Sequence, residues 1–314
     1  MRRLPHWLAP SCAALIAAAP AAAASPGATI VSALAGPPKA SFLARVQAGE
    51  IGGVILVGRW APAELSATTT QLHAAGCAIG RPLLILVDQE GGFARRLTWA
   101  QPDHSAADLG HLGIGETDLE ARRAATQLRN AGIDVDLAPV TDTLGPGGFL
   151  RGRSFGTDPA LVGALAVTYV RALQAGRVAA TAKHFPGLGA ARENTDDSVV
   201  TVWKTALEPF IQAVRAGVKL VMVSSASYPR LDTTGTPDAM ASMTLPGVLS
   251  TVVVFRKMSA RSSHDPTSER GTRPVRVMRS PTPRSRVVAR NRWRLPSPLS
   301  GPTIVISTDG YSRA

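Results

Sequence analysis

VAATAKHFPGLG, Val178 to Gly189, opens as a run of small and β-branched residues and ends by setting a lysine beside a histidine ahead of a Pro-Gly turn. Apolar residues with no polar alternation suit a strand covered on both faces. The run follows a helical pattern that stops at Ala175-Gly176, and the same sequence of events recurs along the chain. Ala75-Gly76, Ala131-Gly132 and Ala216-Gly217 are further stops, each read as a helix end because glycine tolerates positive φ. The runs after these stops are LLILVDQE, IDVDLAPV and KLVMVSSA, and GGVILVG precedes the first of them. Helix starts are marked too. Thr117 with Glu120 predicts a capping box, and Asp158-Pro159 an N-cap followed by proline in the first turn. Ala121, Ala124, Ala125 and Leu128 fall on one helical face, as do Leu161, Leu165 and Ala172 in the next helix.

Five apolar strands alternating with helices predict a parallel sheet of βα units. Polar residues gather at the C-terminal ends of the strands: Asp88, Gln89 and Glu90, then Lys183 and His184, then Ser224 and Ser225. In a (β/α)8 barrel that end carries the chemistry. An open doubly wound sheet also binds ligands there, but no glycine-rich phosphate loop follows the first strand.

The rest of the composition sets limits. Residues 1–24, with Arg2 and Arg3 ahead of an apolar, alanine-rich stretch, read as a secretory signal that sends the protein out of the cell or to its envelope. Pro5, Pro10 and Pro20 interrupt that stretch, which argues against a stable membrane span, and Cys12 comes too early for a lipid-anchor cysteine. Removal of the signal leaves Cys77 as a lone, buried and inert thiol. The net charge of +12 belongs to one end: Arg256–Ala314 holds 13 of the 34 basic residues and three of the 22 acidic ones. The basic balance is therefore no reason to expect a nucleic-acid partner for the body of the chain. That end is rich in Arg, Ser and Pro and reads as a disordered tail, 256–314, following a body over 25–255. One apolar run, TIVISTDG, returns near its close.

LILVDQEGGFARRL, APVTDT, RGRSFGTDP, AKHFPGLG and VMVSSASYP occur in that order over about residues 50–245. Together they resemble the N-terminal barrel of glycoside hydrolase family 3, especially its β-N-acetylhexosaminidase branch. The resemblance implies a TIM-like (β/α)8 barrel, here incomplete at about five to six βα units, and a retaining glycosidase without metal or organic cofactor. Its substrate would be a glycan containing N-acetylglucosamine, such as a cell-wall fragment. Asp88, Arg96, Arg153, Lys183 and His184 match the family's sugar-binding residues, with Arg95 adjacent. A carboxylate accepts two hydroxyl protons at once, and Lys and His supply donors. The alternative for Arg153 is an ion pair with Asp142 or Asp158. Pro186, Gly187 and Gly189 are read as shaping the turn, and Met222 and Tyr228 as core.

A retaining glycosidase needs a carboxylate nucleophile and a separate acid/base. Where relatives place an acid/base His in an Asp-Ser-His triplet, this chain has Asp197-Ser198-Val199, leaving Asp196 or Asp197 as the proton donor or a solvated acidic loop. The family nucleophile is an Asp closing the next barrel strand. Here the corresponding segment runs LPGVLSTVVVFRKMSARSSHDP, so the strand and its Asp are expected to be missing. Asp265 lies near the expected distance without a strand before it, and Asp309 has a strand-like context but comes late. A reading-frame shift after about residue 254 accounts for the change in composition. Three readings follow: a glycosidase with activity retained or lost, a catalytically inactive sugar-binding protein, or an interaction protein acting through its basic tail.

Overall fold

The computed structural model describes residues 26–231 apart from 196 and 199, and the strands 252–258 and 304–309. After a short 3-10 turn at Pro26–Thr29, the chain alternates strands and helices. They run β1 Val31–Leu34, α1 Ala40–Gln47, β2 Gly53–Leu56, α2 Pro62–Ala78 and β3 Leu84–Val87. A small hairpin, β4 Gln89–Gly91 with β5 Ala94–Arg95, and helix α3 Ala106–Leu112 come before α4 Ile114–Asn130. Then follow β6 Val135–Asp136, α5 Pro159–Ala175, β7 Ala179–Phe185, α6 Glu208–Arg215 and β8 Leu220–Val223. Strands β9 Val252–Met258 and β10 Ile304–Asp309 extend the same parallel sheet, whose order is β1-β2-β3-β6-β7-β8-β9-β10. β10 comes to lie alongside β1, although no ladder joins them among the described residues. The architecture is an incomplete (β/α) barrel, six of whose strands are linked through described helices.

Alternation along the strands divides the core in two. Val54, Leu56, Ile85, Val87, Ala180, Ala182, Val221 and Val223 pack with helix residues such as Leu65, Leu72, Leu128, Leu165 and Phe210. Their neighbours Val31, Ile55, Leu86, Val135, Leu220 and Met222 form a second cluster on the face away from the helices. This double burial is why the strands read as unbroken apolar runs. It also fixes where Lys183 goes. Two and four residues beyond Thr181 and Ala179, it shares their side of β7, and Ala179 packs against the second cluster.

All five expected strands form, but β1 was not foreseen. The strand expected to be missing after β8 is present as β9, though it carries no acidic residue. In the tail expected to be disordered, Arg256–Met258 and Ile304–Asp309 are strand; residues 259–303 and 310–314 lie outside the described residues. Asp158 caps α5 as expected, accepting from the Ala160 N–H at 3.0 Å. Thr117 and Glu120 form no capping box. They sit inside α4, where Thr117 donates to the Gly113 carbonyl and Glu120 reaches His104. The real box is Ser105 with Asp108 on α3. Of the four Ala-Gly stops, Gly132 and Gly217 have positive φ past a helix end, whereas Gly76 lies within α2 and Gly176 has φ −82°. Leu161 is exposed, while Leu165 and Ala172 are buried as expected, and so are Met222 and Tyr228. Cys77 is half-buried on α2.

The FPGLG turn after β7 depends on close backbone packing. A Cβ on Gly189 would stand 2.0 Å from the Thr143 carbonyl oxygen, whereas one on Gly36 would meet nothing within 4 Å. Gly189→Ala should therefore destabilise the fold by about 1–3 kcal/mol through overpacking, and Gly36→Ala should change stability by less than about 0.5 kcal/mol, read from urea unfolding midpoints.

Candidate active site

Lys183 organises the C-terminal end of the sheet. Its side chain is 2% exposed, and its Nζ donates to Asp88 Oδ1 at 2.7 Å and pairs with Glu90 Oε1 at 2.6 Å. An ammonium removed from water needs such partners, since burial alone favours its neutral form. Burial does push the Lys183 pKa down, but Asp88 and Glu90 outweigh it and the net shift is upward. Asp88 follows β3, and Glu90, two residues on, lies in the β4–β5 hairpin. The i, i+2 spacing suits two carboxylates meeting one cation.

Glu90 is shared. Arg153, from the loop before α5, grips it with Nε at 2.7 Å and a second nitrogen at 2.8 Å, a forked pairing. Burial raises the Glu90 carboxyl, yet Lys183 and Arg153 overcome that and hold it at about 2, against an ordinary 4.5. Arg153 also approaches His184 Nε2, at 3.5 Å. On the other side of the ring, Nδ1 lies 2.7 Å from Asp142 Oδ2. A carboxylate at Nδ1 and a guanidinium donor at Nε2 suit the tautomer that carries its proton on Nδ1. Asp142, with no exposed side-chain surface, also accepts the backbone N–H of His184 at 3.0 Å and of Leu188 at 2.5 Å, and so clamps the HFPGL turn.

The sequence-derived residues therefore divide. Asp88, Lys183, Arg153 and His184 converge in one cage. Arg153 pairs with Glu90, not with Asp142 or Asp158. Arg96 is half-buried and joins through its backbone, its N–H donating to the Asp88 carbonyl at 3.2 Å. Arg95 is paired with Asp103. Asp197 is exposed in the loop after the turn, its N–H donating to the Asn194 carbonyl at 3.1 Å. Asp196 and Asp265 lie outside the described residues. Asp309 closes β10, opposite Met258 of β9.

Glu90 and Asp142 were not assigned roles from sequence. Glu90 was legible from its spacing to Asp88, but Asp142 is recognisable only once the turn folds against it. The cage keeps open valences toward solvent: Asp88 and Arg153 side chains are each 25% exposed, and among the described residues no hydrogen bond reaches the second Asp88 oxygen. It thus presents an acceptor and donors side by side. The metal-ligating group present among the described residues, His104 with Glu116 and Glu120, includes none of the cage. No helix among the described residues is long and apolar enough to cross a membrane.

Behind the sheet, Asp136 is fully buried, with Oδ1 accepting the Gln89 N–H at 3.1 Å and Oδ2 unpartnered. Burial pushes its carboxyl well above the usual range, which favours the protonated form.

The family model described as "Glycosyl hydrolase family 3 N terminal domain" matches residues 30–256. Among curated proteins, a "Beta-hexosaminidase" of Xanthomonas euvesicatoria is 35% identical over 209 residues, covering 59% of this chain and 60% of that protein. An "Uncharacterized secreted glycosyl hydrolase" of Arthroderma benhamiae is 35% identical over 216 residues, 62% of this chain and 60% of that protein. The chain thus spans about 60% of the length of the curated relatives it matches. Among solved structures, a β-N-acetylhexosaminidase of Beutenbergia cavernae superposes with TM-score 0.62 at 27% identity, covering 73% of this chain and 76% of that one. NagZ from Neisseria gonorrhoeae, solved with N-trifluoroacetyl-D-glucosamine, gives 0.59 at 25%, with 67% of each chain covered.

Two titrations distinguish the buried carboxyls. Glu90, depressed in the folded state, contributes stability that is complete above about pH 4.5 and lost as pH falls toward 2, on the order of 3 kcal/mol. Glu90→Gln should lose about 3–5 kcal/mol at pH 7 by stranding buried cations, and its urea midpoint should fall less between pH 4.5 and 2 than that of the wild type. Asp136 has the opposite sign. The unfolded chain releases its proton above about pH 4 while the folded state retains it, so stability is lost as pH rises. Asp136→Asn should therefore be more stable than wild type at pH 7, and this advantage should vanish by about pH 3.5 in the same urea titration.

Proposed function

Because this chain belongs to glycosyl hydrolase family 3, we propose that its cage binds the terminal β-linked N-acetylglucosamine of a glycan, in an exported glycosidase of the β-N-acetylhexosaminidase type. The observation that carries this reading is the convergence of Asp88, Arg153, Lys183 and His184 at the C-terminal ends of β3 and β7. A neutral sugar ring offers hydroxyls that donate and accept. Asp88 would accept from two of them, Arg153 would donate, and Lys183 and Glu90 would hold Asp88 and Arg153 at fixed separation. Export through residues 1–24 is part of the same proposal, and the relative named as secreted is consistent with it.

Hydrolysis with retention needs a nucleophile to form the glycosyl–enzyme bond, and an acid/base that protonates the leaving oxygen and then deprotonates water. Asp309, ending β10, is the nucleophile candidate, and the Asp196–Asp197 loop supplies the candidate proton donors. A second reading has its own support. The strand after β8, where the family resemblance puts the nucleophile, is VVVFRKM and carries no carboxylate. A sugar-binding protein with little or no turnover fits that strand.

Release of nitrophenol from a β-N-acetylglucosaminide tests both readings. The expected result is turnover far below that of a relative with a carboxylate at that strand end. Lys183→Met should abolish N-acetylglucosamine binding in calorimetry. Robust wild-type turnover removed by Asp309→Ala or Asp265→Ala would overturn the low-activity expectation and identify the nucleophile. An absence of saturable heat from folded wild-type protein would overturn the sugar site itself.

A further inference from the structure

We propose that Phe93 is the floor of a second sugar subsite at the mouth of the cage, stacking against the pyranose ring that follows the one bound by Asp88 and Arg153; this rests on the reading of the cage as a sugar site. Phe93 is 76% exposed, the most exposed large apolar side chain among the described residues. A single exposed apolar residue is ordinary. The setting of this one is not. It stands between β4 and β5, three residues after Glu90, on a hairpin in which Gly91 and Gly92 have φ of 103° and 54°. One edge of its ring is seated on the backbone of Gly152. A Cβ there would come within 2.5 Å of Phe93 Cε1, which places the ring close against Gly152. The next residue is Arg153, whose guanidinium holds Glu90 of the same hairpin. The ring thus lies beside Gly152, largely open to solvent, on a hairpin and next to a loop that both supply residues to the cage.

The cage itself is entirely polar: Asp88, Glu90, Arg153, Lys183 and His184 can grip hydroxyls but offer no flat apolar surface. The other aromatic rings near it, Phe155, Phe185, Tyr169 and Tyr228, are buried. A β-linked pyranose with equatorial substituents has a face of axial C–H groups, which pack well on an aromatic ring, and a polar edge that does not need to be desolvated. An exposed aromatic beside a polar cage fits a chain of such sugars better than a single one. The ligand class assigned to Phe93 is therefore a β-linked oligosaccharide occupying at least two rings.

The test compares N-acetylglucosamine with its β-1,4-linked disaccharide in calorimetric titrations of the full chain, its Phe93→Ala variant and its Phe93→Trp variant, with thermal melts as a check on folding. The wild type should bind the disaccharide roughly three- to tenfold more tightly than the monosaccharide. Phe93→Ala should bring that ratio close to one with monosaccharide affinity unchanged, and Phe93→Trp should preserve it. A ratio near one in the wild type, a ratio untouched in Phe93→Ala, or equal weakening of both sugars would overturn the subsite while leaving the cage intact. If the folded wild type binds neither sugar, the cage reading fails and the subsite fails with it.

Discussion

The arrangement turns on one buried ammonium. Lys183 sits almost without solvent among groups that belong to distant parts of the chain, and its charge survives only because Asp88 and Glu90 surround it. Removing either side of such a pairing leaves an uncompensated charge in a poorly solvating interior, a cost well above that of an ordinary surface contact. The end of β3, the β4–β5 hairpin, the Arg153 loop and the end of β7 are thereby tied to one another. Asp142 performs the corresponding task with hydrogen bonds, collecting two backbone N–H groups and an imidazole so that the turn after β7 has a single shape.

Much of the fold was legible because a parallel sheet covered on both faces leaves an unambiguous mark: β2, β3 and β8 are apolar throughout, and β7 holds only small residues ahead of Lys183. β1 escaped notice because its four residues include Ser32 and Ala33 and follow a segment read as part of the leader. Local end signals were less dependable. Thr117 and Glu120 had the spacing of a cap, but Glu120 is held by a tertiary partner, His104, which no local pattern reveals. Gly76 was read as a stop and is instead a contact, since a Cβ there would meet the Arg81 carbonyl at 2.6 Å. Strand-end residues were informative for the opposite reason. Topology alone brings the C-terminal ends of parallel strands to one rim, so Asp88 after β3 and Lys183 on β7, with only β6 between them, share that end of the sheet once its order is right.

The binding half of the site and the reacting half rest on different kinds of support. Asp88, Lys183, Glu90, Arg153 and His184 form a chain of contacts, each holding the next. The candidate acids do not. Asp197 is exposed on its loop, and Asp309 is defined by its place at the end of a strand. A polar cage of this type persists as long as its own charges remain balanced, whatever happens to a carboxylate across the cleft. On the proposed reading, recognition of a sugar and its cleavage would be separable properties in this architecture, and substitutions at the far side of the barrel would remove one without disturbing the other.

The 95 residues that separate Asp88 from Lys183 also impose an order of events. As the chain emerges from its N-terminus, β1, β2 and β3 can collapse on their helices while Asp88 and Glu90 still have no cation. Arg153 arrives first and Lys183 later, and only with β7 in place are the two carboxylates neutralised. The contact that secures the site is therefore among the most non-local in the molecule, and such contacts form slowly because a long loop must close before any energy is gained. A nascent or partly unfolded chain will hold its apolar strands together before its charged centre is set. A chain interrupted between residues 153 and 183 would have Arg153 for Glu90 but would carry Asp88 without its lysine at the open end of an unfinished sheet.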